Sequence, residues 1–273
     1  MKGKNNMVKT GISNGSDDPI DILVVPDPHA TPSSRNDRFI WLANYIVDKK
    51  PDVIMNIGDH FSMDSLCDYD KGQISAEGRR LTEDLEFGWN ALKIINSTID
   101  NYNKNRKYKL YNPRKVLTFG NHEERITRVA KRNPELDGYL GYDTYRVADY
   151  GWESYPYMDE VKINGVTFSH CFPSGGMGRP IGGVNACRGT ILAHHKSCVF
   201  GHSHFFNYSE DSRSGRAIQS LMVGVFVEDS YRPSYAGAAR KMWRPGIVML
   251  RDVKDGNFDF EKISMSKLQE DYS

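Results

Sequence analysis

Five apolar runs in this chain end the same way, in a short polar cluster rich in metal-binding side chains. Ile22 to Val25 leads to Asp27-Pro28-His29, Val53 to Ile57 to Gly58-Asp59, and Val116 to Phe119 to Gly120-Asn121-His122-Glu123. Val161 to Phe168 then leads to His170, and Ser197 to Phe200 to Gly201-His202-Ser203-His204. Short apolar runs closed by turn formers read as buried strands. Between the first two, a helix is expected from about Asn36, with Phe39, Leu42, Ala43, Ile46 and Val47 on one face. It must stop at Lys50, because Pro51 disfavours helical backbone in the residue before it. Strand, helix and strand within about 30 residues make a βαβ unit. Its strands are parallel, so the first two clusters emerge at one carboxyl edge, where open α/β sheets hold ligands.

The rest of the chain extends this pattern. Arg79 to Asn101 reads as a long helix whose stripe of Leu81, Leu85, Trp89, Leu92 and Ile95 suits core packing. Asn101 to Lys109 reads as a surface connection, and Glu123 to Arg132 as a helix ending before Asn133-Pro134. The second half reads as mostly β. Val161 to Phe168 turns at Asn164-Gly165, and Ile218 to Val227, Gly246 to Leu250 and Phe258 to Ile263 are further strands. The expectation is one α/β domain over 19–266, with two stacked sheets flanked by helices. A disordered lead-in over 1–18 and a frayed polar tail over 267–273 complete it.

Composition narrows the function. Lys plus Arg number 36 against 35 Asp plus Glu, for a formal charge of +1. A committed duplex-DNA binder usually shows a basic excess, so strong intrinsic duplex binding is not expected. Cys67, Cys171, Cys187 and Cys198 form no CxxC pair, which argues for buried free thiols in a reducing compartment. No apolar run approaches the ~18 residues of a membrane span, and the first residues lack the apolar stretch of a secretory signal. A cytoplasmic protein with no membrane partner is expected.

The clusters supply two Asp, one Asn and four His as possible ligands, with His122 to spare. Oxygen and imidazole donors suit ions such as Mn, Fe and Zn. Two such ions about 3.5–4 Å apart can hold a phosphoryl group and generate hydroxide. In extended backbone, residues i and i+2 point the same way. Asp27 and His29 could therefore share an ion, and His202 with His204 repeats that spacing. Asp59 has two carboxylate oxygens with which to bridge two ions.

Read in order, these clusters spell DxH, GD, GNHE, H and GHxH. From Ile20 to about Phe205 the chain thereby resembles the calcineurin-like metallophosphoesterase superfamily, including phage and bacterial members. GNHE followed by GHSH carries most of the specificity. The resemblance implies a four-layer αββα sandwich of two mixed β-sheets flanked by helices. It implies two divalent ions, Mn first, with Fe, Zn, Ni or Mg as alternatives. Asp27, His29, Asp59 and His204 would hold one ion, and Asp59, Asn121, His170 and His202 the other. His122 would protonate the leaving oxygen or stabilise the transition state.

The implied activity is phosphoester hydrolysis by a hydroxide that bridges the ions. The Arg-Gly that follows this motif in protein phosphatases is absent, which favours a phosphodiester of a nucleotide or nucleic acid. A phosphomonoester is the alternative substrate. A silent interaction module of the same fold is the third reading, though such a protein would be expected to lose ligands that this chain keeps.

One position departs from the pattern. The second Asp of the usual GDxxD is Ser62 here, and the next carboxylate is Asp64. Either Asp64 reaches back to His122, or His122 has a lower pKa than in most relatives. Arg125, Arg179 and Arg188 are candidate phosphate contacts. The glycine-rich stretch Pro173 to Gly183 is a candidate lid or simply a tolerated loop. Tyr155, Tyr157, Phe205 and Phe206 could stack a base or serve the core. His60 could support Asp59, pack or lie at the surface, and His194 and His195 suit the surface or a helix end.

Overall fold

A computed structural model describes residues 18–273 apart from 214, 229 and 232. Most of the expected lead-in thus lies outside the described residues. The first half runs β1 (Ile20–Val25), α1 (Asp37–Lys49), β2 (Val53–Asn56), α2 (Leu81–Asn103), β3 (Arg114–Thr118), α3 (Glu124–Arg132) and β4 (Glu153–Tyr155). The second half runs β5 (Val161–Ile163), β6 (Val166–Phe168), β7 (Pro173–Ser174), β8 (Arg179–Pro180), α4 (Ala186–His194) and β9 (Cys198–Phe200). β10 (Phe206–Arg213), β11 (Arg216–Val223), β12 (Gly246–Lys254), β13 (Asn257–Ser264) and α5 (Met265–Tyr272) complete it.

Two mixed sheets result. The first has the order β13-β12-β1-β2-β3-β4, with β1 to β4 parallel and β12 and β13 antiparallel. The second has the order β10-β11-β9-β6-β5, with β6, β9 and β11 parallel inside antiparallel edges. Successive side chains in a strand face opposite ways, and this decides the packing. Ile22, Val24, Met55, Val116 and Val248 of the first sheet share one buried core with Val161, Phe168, Val199 and Leu221 of the second. Leu23, Val25, Ile54, Leu117 and Met249 turn to the other face and pack with Phe39, Leu42, Leu92 and Ile95 of α1 and α2. On the far side, Cys198, Phe200 and Met222 meet Ala186 and Cys187 of α4. The arrangement is α/β and compatible with a layered sandwich.

Several elements differ from the expectation, β4 and the β7–β8 pair among them. The tail from Lys267 is not frayed: it belongs to α5, whose Met265 and Leu268 are buried in the helix-side core. Ser264 caps this helix by accepting from the Lys267 N–H, and the Tyr272 hydroxyl donates to Asp48 on α1. α4 forms where no helix was expected, burying Ala186, Cys187, Thr190 and Ile191 despite Gly189. Polar β10 pairs along its length with β11 as an edge strand, where apolar alternation is not required. Among the described residues no helix is long and apolar enough to cross a membrane.

Candidate metal centre

All five clusters lie just past the carboxyl ends of parallel strands. β1, β2 and β3 deliver three of them from one sheet, and β6 and β9 deliver two from the other. Backbone bonds tie the loops together. The His29 N–H donates to the Asp59 carbonyl, and the Gly201 N–H to the His170 carbonyl. Across the sheets, the His202 N–H donates to Asp27 Oδ2 at 2.8 Å and His170 Nδ1 donates to the Ile57 carbonyl at 2.9 Å.

The loop backbone is not extended, which corrects the geometry expected for DxH and HxH. Asp27, His29, Asp59, His202 and His204 all have φ between 40° and 71°. Side chains other than glycine rarely adopt this left-handed region, and such residues concentrate at functional sites. The chain here turns tightly around its side chains rather than alternating along a strand. The cluster glycines make room for that turn. A Cβ on Gly120 would stand 2.1 Å from Asp59 Oδ1, and one on Gly201 would stand 2.3 Å from Asp27 Oδ1. Gly58 combines a φ of +97° with a Cβ position 2.7 Å from His170 Nδ1.

Asp27, His29, Asp59 and His204 form a buried group whose ligand atoms all lie within 4.8 Å of one another, and the group could hold a metal ion. His29 Nε2 and His204 Nε2 face each other at 3.1 Å, and His204 Nε2 is 3.2 Å from Asp27 Oδ2. Asp27 Oδ1 is buried without a hydrogen-bond partner. A carboxylate oxygen so placed fits a cation, because burying it unpaired is costly. Asn121, His170 and His202 converge next to this group. Asn121 Oδ1 is 2.8 Å from His202 Nδ1 and 3.1 Å from His170 Nε2, which is itself 3.5 Å from Asp59 Oδ2. Because His170 Nδ1 is engaged by Ile57, Nε2 is the nitrogen it turns toward Asp59 and Asn121.

The electrostatics suit cation binding. Burial lowers His29 well below its usual value and brings His202 and His204 down to about 4, so these imidazoles are neutral at pH 7. Burial also raises Asp27, reinforced by Asp59 and opposed by His170. For Asp59 burial acts upward too, but His122, His170, His29 and the His122 N–H outweigh it and hold the carboxyl well below the usual range.

His122 sits at the edge of this group, with Nε2 3.9 Å from Asp59 Oδ2. The question raised by Ser62 is answered by backbone. His122 Nδ1 lies 2.7 Å from the Ser62 carbonyl, which it meets as donor. The Ser62 hydroxyl donates instead to Asp64, which also accepts from Thr31. Asp64 is thus committed elsewhere. Burial lowers His122 to about 4, with Arg125 adding to the effect against the pull of Asp59. Arg125 does reach this site: Nη2 is 3.2 Å from His122 Nε2, and Nη1 donates to the Ser62 and Met63 carbonyls.

Glu123 has a role that sequence reasoning missed. Its carboxyl accepts the N–H groups of Asp59, Phe61 and Gly120 at 3.0, 2.8 and 2.7 Å, clamping the second and third loops together. Burial and Asp59 push it up to about 8 against these donors. A cation on Asp59 would remove the second influence. The fully buried position of the last residue of GNHE leaves no trace in composition.

Of the other singled-out residues, most lie apart from the ligands. Arg188 on α4 pairs with Asp211 on β10. Arg179 is exposed on the β7–β8 hairpin, after which the chain passes Ser203 at Gly182. His60 is a packed histidine, bonded to Asn56 and to the Gly88 carbonyl. His194 ends α4 and bonds the Pro173 carbonyl, and His195 follows it as the cap residue. Tyr157 lies beside His170 with ring centroids 6.1 Å apart, whereas Phe206 packs on Phe260. No protein-family model matches the chain, and no curated protein sequence matches it.

Proposed function

We propose that this chain is a metal-dependent phosphoester hydrolase of the calcineurin-like metallophosphoesterase superfamily, with that family's four-layer sandwich. Its preferred substrate is a phosphodiester of a nucleotide or nucleic acid. The observation that carries the reading is the convergence of buried Asp27, His29, Asp59, His170 and His204 with half-buried Asn121 and His202 from five separate strand ends. Asp27, His29, Asp59 and His204 would hold one divalent ion, and Asp59, Asn121, His170 and His202 a second. The mixed oxygen and imidazole set favours Mn, with Fe, Zn, Ni and Mg as alternatives. Bound divalent ions supply charge that neutralises phosphate oxygens and acidifies water.

The chain's own residues do the rest. Asp59 joins the two ligand groups, and Glu123 holds the Asp59 and Gly120 backbone in place. His122, oriented through Nδ1 by the Ser62 carbonyl, presents Nε2 to the leaving oxygen. Negative charge building there opposes the effect of burial on the imidazole. Arg125 stands against the same nitrogen and can share that charge. Four buried free cysteines are in keeping with a reducing compartment such as the cytoplasm.

The test is turnover of the Mn-reconstituted protein on a chromogenic phosphodiester and its monoester counterpart, with His122→Ala alongside. The diester should be preferred. His122→Ala should keep its metal and lose about 10²–10⁴-fold in rate. A metal-loaded protein that hydrolyses neither ester would overturn the reading. A monoester preference would correct the substrate class alone.

A further inference from the structure

A cleft of about 560 Å³ adjoins one side of the candidate metal centre. Arg125 is the shared wall, lining the cleft while standing 3.2 Å from His122 Nε2. Arg38 is a second link: it lines the cleft and donates to the Pro28 and His29 carbonyls. The cleft therefore borders the side on which His122 would meet the leaving oxygen.

Its walls carry both charges. Arg35, Arg38, Arg79 and Arg125 share them with Asp64, Asp70 and Glu228, and serine hydroxyls lie among them. Arg79 is closed on Asp70 and Arg35 on Asp37, while Arg38 and Arg125 donate to main-chain carbonyls, so the four guanidiniums leave little free positive charge for a second phosphate, and a lipid would call for apolar walls. Interleaved donors and acceptors match an alcohol with several hydroxyls, each of which both donates and accepts. Two buried atoms on these residues lack hydrogen-bond partners, the acceptor Glu228 Oε1 and the donor Arg38 Nε.

We propose that this cleft seats the leaving alcohol of the substrate, and that the alcohol is a sugar of the kind a nucleoside carries. The proposal rests on the phosphoester hydrolase reading. In the reaction, the bond from phosphorus to the sugar oxygen breaks and a bond from phosphorus to the water oxygen forms. One water proton ends on the sugar hydroxyl, and the other leaves with the phosphomonoester or enters solvent.

The Mn-reconstituted protein would be assayed on a dinucleoside monophosphate and on bis(p-nitrophenyl) phosphate, as wild type, Asp70→Asn and Glu228→Gln. Titration with a free nucleoside adds a readout without turnover. Each variant should lower the dinucleoside-to-aryl ratio of kcat/KM about tenfold and weaken nucleoside binding by a similar factor. Two results would overturn the proposal while leaving the hydrolase reading intact. One is wild type that turns over the aryl ester without binding nucleoside. The other is a pair of variants with unchanged ratios. Wild type inactive on both esters with metal bound would refute the hydrolase reading and the proposal together.

Discussion

Replacing Gly120 by alanine tests how closely the centre is built. The added Cβ would stand 2.1 Å from Asp59 Oδ1 and 2.6 Å from the Asp59 backbone nitrogen. Contacts under 3.0 Å are essentially never seen for a real Cβ. The carboxylate would have to retreat by about 0.9 Å and the main chain by about 0.4 Å, the shortfalls from that limit. The main chain is held by Glu123, so it yields reluctantly. Metal–ligand distances tolerate only about 0.2 Å. Metal affinity should therefore fall about 10–100-fold, as when ligand-supporting contacts are lost. Overpacking should cost the metal-free fold about 1–3 kcal/mol. Gly120 is not among the positive-φ residues, so the effect is steric rather than conformational. Gly141→Ala is the control, because Gly141 is extended and has nothing within 4 Å of its Cβ position. The assays are a metal-binding isotherm and urea unfolding for both variants. Gly120→Ala binding metal within about twofold of wild type would refute the reasoning.

Leu268→Ala should lower stability by about 2–4 kcal/mol, because Leu268 is fully buried on α5. An unchanged urea midpoint would mean that the tail does not dock. Metal-free stability should fall as pH drops from 6.5 to 4.5. Burial lowers His29, and brings His60, His122, His202 and His204 from 6.5 to about 4, so the unfolded chain takes up these protons first. Each imidazole's contribution is complete above pH 6.5 and is lost on acidification. Asp27, Asp84 and Glu123, raised by burial, act in the opposite sense over this interval. Five imidazoles outnumber three carboxyls, so a urea midpoint that rises on acidification would contradict the burial of these rings.

The β1-α1-β2 unit was legible because its apolar periods are unambiguous and Pro51 marks the helix end. The ligand clusters were legible because each interrupts an apolar run with residues that a buried strand would not carry. Their backbone was not. Nothing in DxH or HxH distinguishes extended from left-handed conformation, and only the packed loops settle it. The Glu123 clamp and the placement of Arg125 depend on contacts between distant loops, as does the role of the Ser62 carbonyl. A main-chain acceptor carries no side-chain signature, so the substitution of Ser62 for the expected carboxylate could not show what orients His122. α4, β10 and α5 were missed because each gains its place from packing or pairing rather than from a strong apolar pattern of its own.

The most direct test of the account is a titration of the metal-free protein with Mn²⁺, counting ions bound per chain in wild type and in Asp59→Asn. The account predicts two ions per wild-type chain and a joint weakening of both in the variant. Binding of a single ion, or loss of one ion in Asp59→Asn with the other unaffected, would contradict it.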